Sequence, residues 1–188
     1  MITVPACDVC HKSFEKDDEY LRAVLIMRRD VADQPAGEKL LESLYRAAAR
    51  AEARAFSGMI YESFRDVDLV TPAGIYVGKA PAYVVDVPRL TRSLERITRG
   101  LFYHETKMPL PLDTRVTVDP DFERDKKLQE EIAQYVGGPL QHSIARNAFG
   151  YTFKQTPTSP FTSIWLLVFY GVAPYLVLTV RPPRTSES

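Results

Sequence analysis

The chain has 188 residues, 45% of them hydrophobic and 26% charged, which is enough apolar material for a packed core and too little net charge for a disordered segment. Lysine plus arginine balances aspartate plus glutamate at 24 each, so nucleic acid or an anionic membrane gains no global attraction and would need a local patch. Two cysteines, Cys7 and Cys10, cannot staple a secreted fold, and no basic stretch followed by an apolar run opens the chain, so the expected location is cytoplasmic.

In chain order, residues 1–12 read as a short extended piece carrying the Cys pair. A helix is predicted from Asp17, with Tyr20, Leu21, Val24, Leu25 and Met27 at helical spacing, ending near Asp30. Asp33 to Gly37 reads as a loop, and a second helix runs from Glu38 to Phe56 with Leu40, Leu41 and Leu44 on its apolar stripe. Met59–Val70, Ile75–Val77 and Ala82–Val85 read as strands, the last two parted by Lys79-Ala80-Pro81. A third helix starts near Pro88, with Leu90, Leu94, Ile97 and Leu101 on one face. Arg115–Val118 is a short strand, Glu123–Val136 a fourth helix, and a three-stranded meander closes the chain from about Asn147 to Arg181.

Helices first, then strands, then helices and strands again make an α+β protein: an N-terminal zinc-knuckle half and helices packed on an antiparallel sheet that ends in a C-terminal meander. The expected divisions are residues 1–30 (partial knuckle and its helix), 31–181 (α+β domain) and 182–188 (disordered tail). Phe161 to Val180 is uncharged and long enough to span a membrane. Gly171 and Pro174 at its middle, flanked by β-branched and aromatic residues, favour two strands and a turn, which makes a membrane anchor the weaker reading.

Cys7, Cys10 and His11 form the one cluster of metal-competent side chains in the sequence. A Cys-x-x-Cys turn brings two thiolates to one point and so supplies half of a tetrahedral zinc site, whose other half is absent or supplied by another chain. Covalent haem attachment, a redox pair and two unliganded thiols are the competing readings; the first needs export, and the second needs a parallel βαβ setting.

The run Val4 to Arg22, through Cys7-Asp8-Val9-Cys10-His11, resembles the closing part of HNH endonuclease domains, in which a second Cys-x-x-Cys-His knuckle leads into a helix. The later Arg99–His104 and Trp165–Gly171 segments resemble the α+β tail of a bacterial subgroup. The resemblance implies structural zinc on Cys7 and Cys10, His11 at a catalytic metal-ligand position, magnesium or manganese as the catalytic ion, and DNA as substrate. It also implies an absent half. The general-base histidine and first Cys pair precede the second knuckle in that family, and six residues precede Cys7 here, so the chain alone is expected not to cut DNA.

Two arginine sets could track phosphates: Arg46, Arg50 and Arg54 on the second helix, and Arg89, Arg92, Arg96 and Arg99 on the third. Glu42 and Glu52 offset part of the first set. Glu15, Asp17, Asp18 and Glu19 read as acids offsetting a helix dipole rather than as a magnesium site. Two functions follow. One is an incomplete HNH endonuclease-like protein acting on DNA with a partner or a complementing polypeptide. The other is a non-enzymatic interaction protein, a homodimer for example, with a metal-bridged or apolar interface.

Overall fold

The computed structural model describes residues 8–48, 54–119, 122–137, 142–144 and 148–182, with side chains from Phe14 onward and further gaps within 36–57 and 142–144. The architecture is α+β. Helices α1 (Asp8–Ile26), α2 (Arg29–Ala32), α3 (Pro35–Ala48) and α4 (Arg54–Glu62) precede a hairpin of β1 (Phe64–Val70) and β2 (Tyr76–Tyr83). Then come α5 (Val87–Thr106), β3 (Arg115–Asp119), a single 3-10 turn, α6 (Lys126–Val136), β4 (His142–Ile144), β5 (Phe149–Thr156), β6 (Ser159–Phe169) and β7 (Ala173–Val180). The last five strands form one antiparallel sheet in the order β3-β7-β6-β5-β4, and β1-β2 stand apart as a two-stranded sheet.

Alternation along β6 and β7 decides which face of the larger sheet is buried. Val118, Val177, Trp165 and Phe153 lie side by side across four strands. The Trp165 ring stacks on Phe153 at 4.4 Å and 11°. Leu21, Leu25 and Ile26 of α1 and Leu90, Leu94 and Leu101 of α5 close over this face in one continuous core. The helix expected to belong to a separate N-terminal unit therefore shares its core with the C-terminal meander.

Tyr170 and Gly171 take positive φ, 54° and 75°, and Val172 N–H bonds Phe169 C=O at 3.1 Å. That is the primed turn whose twist suits a tight hairpin. Phe161–Val180 is thus two paired strands, and among the described residues no helix is long and apolar enough to cross a membrane.

Several expected boundaries move, each for a local reason. Helix α1 begins at Asp8, so residues 8–12 are helical and Asp17 sits mid-helix. Its end is at Ile26, and the stretch to Ala32 is a separate turn of helix. Helix α3 starts at Pro35 rather than Glu38, because proline fits a first helical position whose N–H has no partner. Gly37 sits in that first turn because a Cβ there would lie 1.9 Å from the Val31 carbonyl oxygen of α2. Gly37→Ala should therefore push α2 from α3 and cost about 2 kcal/mol, read as a fall in the urea midpoint. The predicted second helix is described as α3 and α4, with residues 49–53 outside the description. Met59 to Glu62 close α4 rather than open a strand.

Candidate interaction surface

The β1-β2 hairpin is held at its root, and among the described residues β1 is exposed along its whole length. Ser63 Oγ donates to Met59 C=O at 2.7 Å, Val84 N–H bonds Ser63 C=O at 3.0 Å, and Phe64 meets Tyr83 edge-on at 5.8 Å. Behind the root, Asp86 N–H donates to the Tyr20 hydroxyl of α1 at 2.6 Å. Burial raises the Tyr83 phenol well above its ordinary value, and its hydroxyl lies near Tyr20 and Ser63 without closing a well-formed hydrogen bond.

Beyond the root every residue of β1 is exposed. Leu69 is 45% exposed, Ile75 64% and Val77 66%, with Val67, Val70 and Tyr76 also exposed around them. A two-stranded hairpin is marginal on its own in water, and this one leaves its apolar side chains uncovered.

The ladder fixes which backbone groups are free. The Val84-to-Ser63 bond makes 63/84 a bonded pair, and antiparallel pairs alternate. Arg65/Ala82, Val67/Ala80 and Leu69/Gly78 are then the bonded pairs, and Phe64, Asp66, Asp68, Lys79, Pro81 and Tyr83 turn their backbone groups outward. Pro81 occupies an outward position where its missing N–H costs the hairpin nothing, which is why β2 runs unbroken through the expected Lys79-Ala80-Pro81 loop. The same residue blocks the outer edge of β2. On β1 the Phe64 carbonyl accepts from the Arg65 guanidinium at 2.7 Å, while among the described residues nothing bonds the outward N–H and C=O groups of Asp66 and Asp68. No ion pair engages the Asp66 or Asp68 carboxylate among the described residues.

Next to the root, a groove of about 580 Å³ lies between Val24, Met27, Tyr83, Leu90 and Tyr175. Its polar wall is the Arg28–Glu123 pair, in which Arg28 Nη1 and Nη2 each approach a Glu123 oxygen to 2.5 Å. Arg28 also holds Asp30 at 2.6 Å, and these hydrogen bonds keep the Asp30 carboxyl below its ordinary range.

The arginines of α5 are committed within the chain. Arg89 Nε meets Asp17 at 2.9 Å, Arg92 Nε meets Asp17 at 3.2 Å, and Arg96 Nη2 meets Asp18 at 2.5 Å. Arg99 bonds Glu95 at 2.9 Å and the carbonyls of Pro111 and Thr114 at 3.1 and 3.0 Å. The acidic cluster thus neutralises arginines of the neighbouring helix; the expectation that it offsets a helix dipole fails because Asp17 and Asp18 are two turns or more into α1. Burial works to raise the Asp17 carboxyl, and hydrogen bonds from Arg92 and Arg89 outweigh it, leaving the group below its ordinary value of 3.8.

Of the other expected site residues, Arg46 is exposed on α3 with its Nε 3.3 Å from Glu42 C=O. Arg54 opens α4, and its side chain lies outside the described residues, as does all of Arg50. Cys7 also lies outside them. Cys10 and His11 lie in the first turn of α1, their side chains undescribed. Among the described residues no three His, Cys, Asp or Glu side chains gather as metal ligands.

The expected strands cover Phe64–Val70 but divide β2 in two, and the expectation does not mark the hairpin as exposed. The signal present was Asp66 and Asp68 alternating with Val67 and Leu69, a half-polar pattern on a strand whose partner carries proline. No family model matches the chain, and no curated protein and no solved structure matches it.

Proposed function

We propose that the chain is a non-enzymatic interaction protein that binds a protein partner through the β1-β2 hairpin. The observation that carries the reading is the exposure of the whole of β1 together with the apolar side chains of the hairpin tip. A folded domain that buries Trp165 and Leu167 completely has the means to cover such residues, and leaving them in water is a cost that a partner removes. The alternative of phosphate tracking along α5 is weakened by the carboxylates and carbonyls that already engage Arg92, Arg96 and Arg99. A structural zinc shared between copies through Cys7 and Cys10 is compatible with the interaction reading and is tested separately, by metal content of the purified protein: half a zinc per chain supports a bridged dimer.

The experiment places a photo-reactive phenylalanine analogue at Leu69, with Leu112, 94% exposed on the other side of α5 in sequence, as the control position. Irradiation in the host cell should give a discrete protein adduct from Leu69 and none from Leu112. Equal background from both positions would defeat the proposal.

A further inference from the structure

We infer that the outer edge of β1 accepts an extended strand of the partner, and that this strand carries basic residues at alternate positions. The inference rests on the interaction reading and gives it a register. Strand addition needs an edge with open N–H and C=O groups. Of the two edges the hairpin offers, β2 is blocked by Pro81, whereas β1 presents Asp66 and Asp68, whose backbone groups both point outward about 6.8 Å apart.

Charge selects the occupant. A second copy of β1 is a poor choice. An antiparallel, two-fold pairing can set Asp66 opposite Asp68, Asp66 opposite Asp66, or Asp68 opposite Asp68. Every such register that uses both open positions places aspartate against aspartate, and like charges directly opposite are destabilising. The nearest cation on the sheet, Lys79, faces Asp68 across the ladder but forms no ion pair with it among the described residues. Arg65 is turned to the carbonyls of Glu62 and Phe64. A partner strand with lysine or arginine opposite Asp66 and Asp68 supplies the missing charge. Its intervening residues fall on the face of Val67 and Leu69, so they are apolar and β-branched.

The test is a fluorescence-anisotropy titration with a labelled synthetic peptide of alternating lysine and valine. Controls replace lysine by glutamate, or place one proline at the centre. The wild-type protein should bind the lysine peptide saturably, and both controls at least tenfold more weakly. Asp66→Asn with Asp68→Asn should weaken binding and flatten its salt dependence. Asp68→Pro should abolish binding, because it removes an outward N–H while leaving the bonded pairs of the hairpin intact; an unchanged melting temperature shows that the variant folds. Equal binding of the glutamate peptide, or binding that survives Asp68→Pro, would overturn the inference. An adduct from Leu69 without lysine-peptide binding would remove strand addition and leave the interaction reading standing. The absence of that adduct would remove the interaction reading itself.

Discussion

Trp165→Ala should cost about 4 kcal/mol, the middle of the range for an aromatic core truncation, and lower the melting temperature by about 10 °C. Trp165 is fully buried at the centre of the sheet, between Phe153 and the Tyr151 ring 6.1 Å away. Its neighbours come from β5, β7 and the helices, so no single element can collapse into the space left behind. The indole also starts a directed hydrogen-bond chain. Trp165 Nε1 donates to Ser163 Oγ at 2.7 Å, Ser163 Oγ pairs with Thr179 Oγ1 at 2.7 Å, and Thr179 donates to the Phe161 carbonyl at 2.9 Å. Ser163 and Thr179 are themselves buried, so truncating the indole leaves the Ser163 hydroxyl without its donor in a dry setting. Trp165→Phe separates the two contributions. It keeps most of the packing and loses the donor, and should cost about 1–2 kcal/mol. Urea unfolding monitored by far-UV circular dichroism reads both variants; a Trp165→Ala loss below about 1 kcal/mol would contradict the described core.

The second large effect is at the α1–α5 junction. Asp17→Ala should cost about 3 kcal/mol, because it strips a carboxylate from the largely buried Arg89 and Arg96, while Arg92, 56% exposed, loses little. Arg89 and Asp17 are each only 13% exposed. Ser93 Oγ also donates to the Asp17 carbonyl at 3.0 Å, so the helix contact is tight where the charge sits. Acid should act in the same direction as the substitution. The folded value for Asp17 lies below 3.8, so the native state binds fewer protons than the unfolded one, and stability rises with pH. Its contribution is complete above 3.8 and is lost as pH falls through the lower folded value. Asp30, held down by Arg28, adds to the same window. Urea midpoints at pH 7 and pH 3 should diverge steeply for the wild type and less for Asp17→Ala. Equal pH dependence of the two proteins would contradict the pairing.

The sheet was the legible part of the fold. In Phe161–Val180, aromatic and β-branched residues on both sides of Gly171 announced two strands and a turn. The apolar spacing of Leu90, Leu94, Ile97 and Leu101 announced α5. Boundaries at proline are not legible from sequence because proline has two permissive sites. Pro35 sits at a first helical position and Pro81 at an outward strand position, and in neither does the missing N–H break a bond. The arginine stripes were visible in the sequence, but their partners were not. Asp17 lies 72 residues from Arg89, and only the packing of α1 on α5 brings them together. The hairpin's exposure was equally hidden, since Val67 and Leu69 look like any other strand residues until the fold leaves them 41% and 45% exposed.

The most direct test of the account shortens the hairpin. Replacing residues 66–81 by Asn-Gly joins the bonded pair Arg65 and Ala82 through a tight primed turn and removes the exposed strand segments and tip. Native electrophoresis of host-cell extract, probed for the chain, then compares the two proteins. The account predicts that the wild type runs in a larger complex, while the shortened protein runs as the free chain and melts within about 2 °C of the wild type, as expected where little core contact is lost. A shortened protein that folds normally and stays in the same complex would contradict it.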